Sequence, residues 1–170
     1  MSQQKQGLVL LLVGVLLIVL FSGWRFNRAR ILSFSKEYPP VSEVVTENKN
    51  SKPTHIQIPS VGVNLQIEES SIKDGVWKIS YDGASHLDKS ANPGQNGNVV
   101  IYGHNKNELF GPIRWLKEGD LIEITDESEK KYNYKVTKSF VTTPDDIEHV
   151  LLKEKERLTL YTCTGFLDSK

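Results

Sequence analysis

An uninterrupted apolar stretch near the amino terminus constrains this chain more than any other feature. From Gly7 to Trp24 the sequence reads GLVLLLVGVLLIVLFSGW, eighteen residues without a charge and apolar on every face of a helix. At 1.5 Å per residue such a helix is about 27 Å long, close to the hydrocarbon thickness of a bilayer. Trp24 and Phe26 lie at its end, where interfacial aromatic side chains are usual. We therefore predict one transmembrane anchor over residues 7–24, preceded by a short tail over residues 1–6.

Two other kinds of segment can also contain a long apolar stretch. A cleaved signal peptide usually has a shorter apolar core that ends at a small-x-small site, and residues 22–24 match such a site only weakly. A buried helix of a soluble protein would carry polar residues on one side. An uncleaved anchor fits the sequence better than either.

Charge is distributed unevenly about this anchor. The formal net charge is zero, but residues 1–36 hold five bases and no acid, so all 21 acids lie in the remainder with the other 16 bases. A mildly acidic body is a poor match for phosphates, and we expect no nucleic-acid partner. Arg25, Arg28 and Arg30 follow the apolar run, and by the positive-inside rule they favour a cytoplasmic body.

Residues 25–53 have the composition of a helical exit followed by a spacer. Arg25 to Lys36 has modest helical character and ends before a pair of prolines, where a helix cannot continue. Residues 42–53 are polar and rich in Asn, Ser and Lys, as in a flexible stalk. We expect one folded domain over residues 54–170.

Short segments of alternating hydrophobicity, separated by turn residues, fill this domain. They predict a mainly β fold of about seven strands with short helices, which is typical of a closed or nearly closed β-barrel. The predicted strands are 55–59, 61–67, 76–79, 98–102, 121–125, 132–140 and 158–162. One or two helical turns are predicted over 109–116, and a helix over 144–155 with Thr143 as its N-cap.

Two residues that follow predicted strands are able to do chemistry together. His104 follows strand 98–102, and Cys163, the only cysteine, follows strand 158–162. Taken singly, a free cysteine usually packs, and a histidine after a strand is usually a surface residue. Neighbouring strands that end at one rim would bring the two together, and a nearby imidazolium favours the reactive thiolate. A single cysteine also excludes an intramolecular disulfide and a cysteine-rich zinc site.

Four segments, in this order, resemble the sortase family: IPSVGV, PGQNGNVVIYGHN, FGPIRWLKEGDLIEI and LTLYTCTG. The likeness covers residues 54–169. Within the family, the chain resembles sortases of classes D, E and F. Sortases are membrane-anchored cysteine transpeptidases of bacterial cell surfaces, built on an eight-stranded β-barrel. The resemblance implies that His104 and Cys163 are the catalytic pair and that Thr162 shapes the substrate site beside the nucleophile. It implies neither a cofactor nor a metal.

The resemblance also implies a reaction and its partners. Cys163 would attack a backbone carbonyl in a C-terminal sorting signal of the LPxTG type, and His104 would protonate the leaving amine. The resulting thioester would pass to the amine of a cell-wall precursor or of a pilin lysine. Such substrates are exported, which puts the domain on the extracellular face of a bacterial plasma membrane, against the arginine count, while the anchor contacts membrane lipid.

One family feature is missing from its expected position. Sortases carry an Arg on a final strand after the Cys, whereas the only basic residue after Cys163 here is Lys170. Arg114 and Arg157 do not match that position. The sequence therefore predicts a chain cut short before a last strand. Two alternatives stay open: a truncated barrel that binds sorting peptides without cleaving them, and a cysteine peptidase that uses water as the acceptor.

The other ionisable residues receive simpler interpretations. His55 and His149 are expected to be solvated. His86 is assigned to the loop region before strand 98–102, where a supporting role near the site is one interpretation. One acidic loop is interpreted as a solvated charged turn, with calcium binding as the weaker alternative: Asp126, Glu127 and Glu129.

Overall fold

A computed structural model of the chain describes residues 3–28, 32–33, 52–73, 76–143, 148–149 and 154–163. The chain divides into two compact units, Met1–Ile31 and Leu32–Lys170.

The described residues of the first unit form one helix, α1 (Gln3–Arg28). Its segment Lys5–Gly23 is long and apolar enough to cross a membrane, and nearly all of its side chains are exposed. This confirms the prediction of one apolar helix at the amino terminus; by length and composition alone, a signal sequence meets the same requirement. The predicted helical character up to Lys36 is wrong at Leu32–Ser33, which form a strand, and the residues on either side of this pair lie outside the described part of the chain.

Ten strands follow the helix within the described residues. They are β1 (Leu32–Ser33), β2 (Pro53–Ile58), β3 (Val63–Ser70), β4 (Ile72–Lys73), β5 (Val76–Trp77), β6 (Ala84–Leu87), β7 (Asn98–Gly103), β8 (Leu121–Asp126), β9 (Lys131–Lys135) and β10 (Arg157–Thr162). Seven of them form a nearly closed barrel sheet in the order β10-β7-β6-β3-β2-β8-β9, and the other three form a small sheet in the order β1-β5-β4. The pairs β10–β7 and β3–β6 are parallel. The predicted mainly β barrel is confirmed.

In the described part of the chain, two 3₁₀ turns lie between these strands. Pro59–Val61 ends at Gly62, whose φ of 71° requires the left-handed conformation that glycine adopts without strain. Gly111–Trp115 confirms the helical turn predicted over 109–116, and its buried side lies in the core.

Alternate residues of β7 enter two different apolar clusters, because successive side chains of a strand point to opposite faces. Val99 and Ile101 face the main core, together with residues of β2, β3, β6 and β8. Val100 and Tyr102 face a second cluster, which also contains Trp77. Every residue of β7 is buried, which explains why its sequence is a continuous apolar run rather than an alternating one.

The structure corrects the extent of two predicted segments. Residues 84–87, assigned above to a loop region, form β6. The strand predicted over 132–140 ends at Lys135, because Lys135 pairs with Leu121, the first residue of β8, and no strand among the described residues pairs with the residues after it. Most of the helix predicted over 144–155 falls outside the described residues. Two residues of this range that are described, Glu148 and His149, form a turn.

Candidate active site

The strands β7 and β10 run parallel and in register over their whole length, up to the pair Gly103 and Thr162. The next residues along the two strands are His104 and Cys163. Paired strands lie about 4.8 Å apart, so these two residues leave the sheet side by side. The Thr162 hydroxyl donates a hydrogen bond to the Gly103 carbonyl oxygen at 3.0 Å and joins the two strand ends. The fold thus brings together all three residues that the sequence singled out.

Cys163 lies on the face of the strand pair that carries the second cluster. It packs against this cluster beside Tyr161, and it is half-buried. His104 is also half-buried. A thiol that reacts with a substrate must be reached from solvent, and the position of Cys163 leaves part of its surface accessible.

A tight loop over residues 104–111 fixes the backbone of His104. The His104 carbonyl oxygen accepts hydrogen bonds from the backbone N–H groups of Lys106, at 2.8 Å, and Phe110, at 3.1 Å. The buried Phe110 ring packs so closely on Gly103 that a Cβ at residue 103 would lie 3.0 Å from it. Close packing of the loop on the strand end therefore determines where the histidine emerges.

A buried asparagine joins the other end of the same strand pair. Asn98 is fully buried, and its Nδ2 donates to the His149 carbonyl oxygen at 2.9 Å. The Thr159 hydroxyl donates to Asn98 Oδ1 at 2.7 Å. A side-chain hydrogen bond thus lies near each end of the β7–β10 pair, and a slip of one residue in register would break both.

An aromatic pair that the sequence interpretation missed covers the face on which Cys163 packs. The rings of Trp77 and Tyr102 meet edge to face, with centroids 4.9 Å apart and planes at 76°. The Tyr102 hydroxyl donates to the Lys78 carbonyl oxygen at 2.7 Å, and burial raises the pKa of Tyr102 to about 12. Tyr102 is therefore neutral at physiological pH. The signal in the sequence that could have indicated this aromatic pair was Tyr102 itself, two residues before His104.

A family model described as a sortase domain matches residues 56–170, well over half of the chain. The chain belongs to the sortase family.

Named relatives agree with this assignment. Sortase D of Bacillus subtilis (strain 168) is 30% identical over 112 residues, which are 65% of this chain and 54% of the relative. Sortase A of Listeria monocytogenes is 29% identical over 136 residues, 76% of this chain and 59% of the relative. This sortase spans little more than half the length of these two proteins.

Solved structures share the fold. A Clostridium perfringens Sortase D5 transpeptidase matches with a TM-score of 0.55 and 29% identity, over 70% of this chain and 75% of the other. Sortase C1 from Streptococcus suis matches with a TM-score of 0.59 and 22% identity, over 75% and 82% of the two chains, and supports the fold alone.

The two arginines of this sortase that the sequence analysis considered lie in different places. Arg157 is exposed and begins β10, at the end of the strand away from Cys163. Arg114 lies in the turn Gly111–Trp115. Its Nη1 donates to the side-chain oxygen of Asn105, the residue directly after His104, at 3.1 Å. Arg114 therefore lies on the histidine side of the site.

His86 is a core residue of this sortase. It lies on β6, is fully buried, and its Nε2 is 3.1 Å from both the Ala91 carbonyl oxygen and Ser90 Oγ. Burial lowers the pKa of His86. The predicted loop position of this histidine is wrong. His55 and His149 are each half-buried rather than fully solvated, and the His149 ring stacks edge to face on Phe140, with centroids 4.4 Å apart.

Asp126 organises the acidic turn after β8. Its carboxylate accepts hydrogen bonds from the backbone N–H groups of Ser128 and Lys130 and from the hydroxyls of Ser128 and Tyr132. Burial acts to raise the pKa of Asp126, but these hydrogen bonds outweigh it and hold the pKa below its usual value. The prediction of a solvated residue is therefore wrong for Asp126, while Glu127 and Glu129 are exposed. Across the described part of the chain, no group of three His, Cys, Asp or Glu residues is arranged to hold a metal ion.

Proposed function

We propose that this sortase is a cysteine transpeptidase that cleaves a C-terminal sorting signal of the LPxTG type. It joins the new carboxyl end to an amine of a cell-wall precursor or a pilin. The observation that supports this most directly is the register of β7 and β10, in which the pair Gly103 and Thr162 is followed at once by His104 and Cys163.

The first step forms a thioester. The Cys163 thiolate attacks the carbonyl carbon of the scissile peptide bond, and a C–S bond forms. The C–N bond breaks, and the His104 imidazolium gives its proton to the leaving amine. A free thiol with a pKa of about 8.5 is only a few per cent ionised at neutral pH, so the neighbouring imidazolium raises the thiolate fraction. Backbone N–H groups at the strand ends stabilise the oxyanion of the tetrahedral intermediate.

The second step transfers the acyl group. The acceptor amine attacks the thioester carbonyl, His104 takes a proton from that amine, and the C–S bond breaks as the new amide forms. The thiolate and the imidazolium are restored, so the cycle balances without an external oxidant or reductant. Thr162 contributes by holding the last residue of β10 against Gly103, which positions the backbone that carries the nucleophile.

We assign the cellular location from the same chemistry. Residues 7–24 anchor the chain among membrane lipids, residues 1–6 form a short tail, and residues 25–53 connect to a catalytic domain over residues 54–170. The domain lies on the extracellular face of the plasma membrane because its substrates are exported. Large domains that follow an anchor are translocated with limited regard to flanking charge.

An assay of the full chain in lipid nanodiscs tests the reaction. The chain is mixed with an LPxTG-type peptide, with and without triglycine, and the products are followed by mass spectrometry. We expect a thioester on Cys163 and an amide product that requires the amine. Cys163→Ala should abolish both. His104→Gln should slow product formation at least a hundredfold, the usual effect of losing a general acid–base. His55→Gln, a histidine on β2, should leave the rate unchanged.

Different results would identify the alternatives. Peptide that binds without forming a thioester would indicate a binding module. Hydrolysed peptide at saturating triglycine would indicate a peptidase. Either result overturns the proposal.

Orientation is tested in intact cells with a membrane-impermeant maleimide, because Cys163 is the only thiol in the chain. Labelling before lysis is expected. Labelling that appears only after lysis would place the domain in the cytoplasm.

A further inference from the structure

Arg114 is a fixed and solvent-exposed cation beside the strand end that carries His104. Its Nη1 donates to Asn105 Oδ1 at 3.1 Å, and its Nη2 donates to Asn107 Oδ1 at 3.4 Å. The guanidinium also lies 4.4 Å from the centre of the Trp115 ring. Two amide acceptors and one aromatic face thus hold a side chain that would otherwise sample many rotamers.

Close packing keeps this arrangement next to the histidine. A Cβ at Gly111 would lie 2.7 Å from the Lys106 carbonyl oxygen and 3.0 Å from Asn105 Oδ1, so only glycine leaves room for the Asn105 side chain. The Gly111 N–H donates to the same Lys106 oxygen at 3.0 Å. Ile113 anchors the turn in the main core. The turn that carries Arg114 and the loop that carries His104 are therefore packed as one unit.

The charge of Arg114 is not neutralised by an acid in the described part of the chain. The ion pairs formed there are Lys52–Glu69 and Lys131–Glu123, both elsewhere in the barrel. The neutral amides of two asparagines occupy only two of the five guanidinium N–H groups. The remaining donors, beside a Trp115 ring that is 56% exposed, are free to meet an anionic oxygen from solvent.

We propose that Arg114, with Asn105, Asn107 and Trp115, forms a subsite that binds a carboxylate on the acceptor amine. This inference rests on the proposed transpeptidase function. His104 must come within hydrogen-bond distance of the amine whose proton it takes, so the acceptor approaches the site from the histidine side. Asn105 is the residue next to His104, and its side chain holds the guanidinium. A planar guanidinium recognises a carboxylate through two parallel hydrogen bonds, which the isosteric amide cannot match.

Matched acceptors test this subsite in the full chain in nanodiscs. The amines are Gly-Asp-amide, Gly-Gly-Asp-amide and Gly-Gly-Gly-Asp-amide, each paired with its Asn analogue. At least one Asp amine should capture the thioester about tenfold more efficiently than its Asn partner. Arg114→Gln should remove this preference without changing the rate of thioester formation. Arg114→Lys should retain part of this preference, since lysine keeps the positive charge but lacks the two parallel donors of the guanidinium. Arg157→Gln, the matched exposed arginine at the far end of β10, should retain all of it.

A binding measurement separates failure of the subsite from failure of the proposed function. The indole N–H resonance of Trp115, assigned with Trp115→Phe, is followed while each amine is added to the unacylated chain. We expect the Asp amines to saturate at about tenfold lower concentration, and we expect Arg114→Gln to abolish the difference.

Each outcome has a definite meaning. Asp selectivity of Trp115 in a chain that forms no thioester would reject the proposed function and retain the carboxylate site. Normal transpeptidation with equal use of Asp and Asn amines, and equal titrations, would reject the subsite alone. An effect of Arg114→Gln on thioester formation with Asp-containing sorting peptides, and not on the acceptor step, would assign the site to the sorting signal and overturn our inference.

Discussion

The strands β7 and β10 each carry one of the two candidate catalytic residues, yet they are held in very different ways. All six residues of β7 are buried, and the strand pairs on both sides, with β6 and β10. The residues of β10 are half-buried or exposed, and within the described residues β10 pairs with β7 alone. The histidine is thus carried by a strand fixed in the core, and the cysteine by a strand aligned through one neighbour. Changes in β7 should cost stability, whereas changes in β10 should cost alignment.

The largest expected effect tests this difference at a single rung of the sheet. Ile101 and Leu160 are Cα partners on the two strands; Ile101 is fully buried and Leu160 is half-buried. Ile101→Ala should lower the free energy of unfolding by about 3–4 kcal/mol and Leu160→Ala by about 1–2 kcal/mol, because the smaller loss of buried surface leaves a smaller cavity. Urea unfolding followed by near-ultraviolet circular dichroism measures both, and equal losses would contradict the contrast.

A second substitution moves the end of the buried strand. In Gly103→Ala the new methyl group would lie 3.0 Å from the Phe110 ring, and overpacking of this kind costs about 1–3 kcal/mol. The loop that carries His104 should shift, so the pH profile of Cys163 alkylation should move toward that of an ordinary thiol. Gly14→Ala in α1, where an added Cβ would meet nothing within 4 Å, should change neither quantity. An unchanged alkylation profile in Gly103→Ala would show that the packing of Phe110 on Gly103 does not position His104.

A third test concerns the pH dependence of stability and β6, the strand that pairs with β7 on the side away from β10. His86 pairs with Ile101, and burial lowers its pKa, so the unfolded chain binds a proton more readily than the folded chain. Stability should therefore fall as pH drops below about 6.5, with a slope of at most about 1.4 kcal/mol per pH unit. In urea unfolding between pH 7.5 and 5, His86→Gln should flatten this slope, while His55→Gln should retain it. An unchanged slope in His86→Gln would refute the assignment.

The smallest expected effect sharpens the role of the edge strand. Thr162→Val removes the hydrogen bond to Gly103 and should cost about 1 kcal/mol. Thr159→Val removes the bond to Asn98 near the other end of β10 and should cost about as much. Only Thr162→Val should change the alkylation rate of Cys163. An equal change in both variants would mean that the whole strand, rather than its end, sets the alignment.

Much of this architecture follows from local sequence. Strand 98–102 was predicted from its apolar run, and the structure extends it by one residue to Gly103. His104 and Cys163 were singled out because they follow strands, and the parallel register places them next to each other in the sheet.

The features that local sequence patterns could not predict depend on tertiary contacts. The strand β6 was missed because its polar residues are buried through partners in the loops directly before and after it: Ser85 Oγ accepts the Ser80 N–H at 2.7 Å, and His86 Nε2 meets the Ala91 carbonyl oxygen. The end of β9 is set by the length of β8 rather than by its own alternation. The cluster around Arg114 arises from the packing of a loop on a turn, for which no periodicity exists.

The parallel pairing of β7 with β10 also has a kinetic consequence. The hydrogen bond between Thr162 and Gly103 joins residues 59 apart in sequence. Closing so long a segment costs more chain entropy than forming the nearby antiparallel pairs β2–β3 and β8–β9, so this rung is expected to assemble after them. Under the proposed mechanism, the Cys163 thiol has no imidazole beside it until β10 pairs with β7, and it keeps the low thiolate fraction of an ordinary cysteine. The thiolate fraction of Cys163 would then rise only at the last step of folding, when β10 pairs with β7.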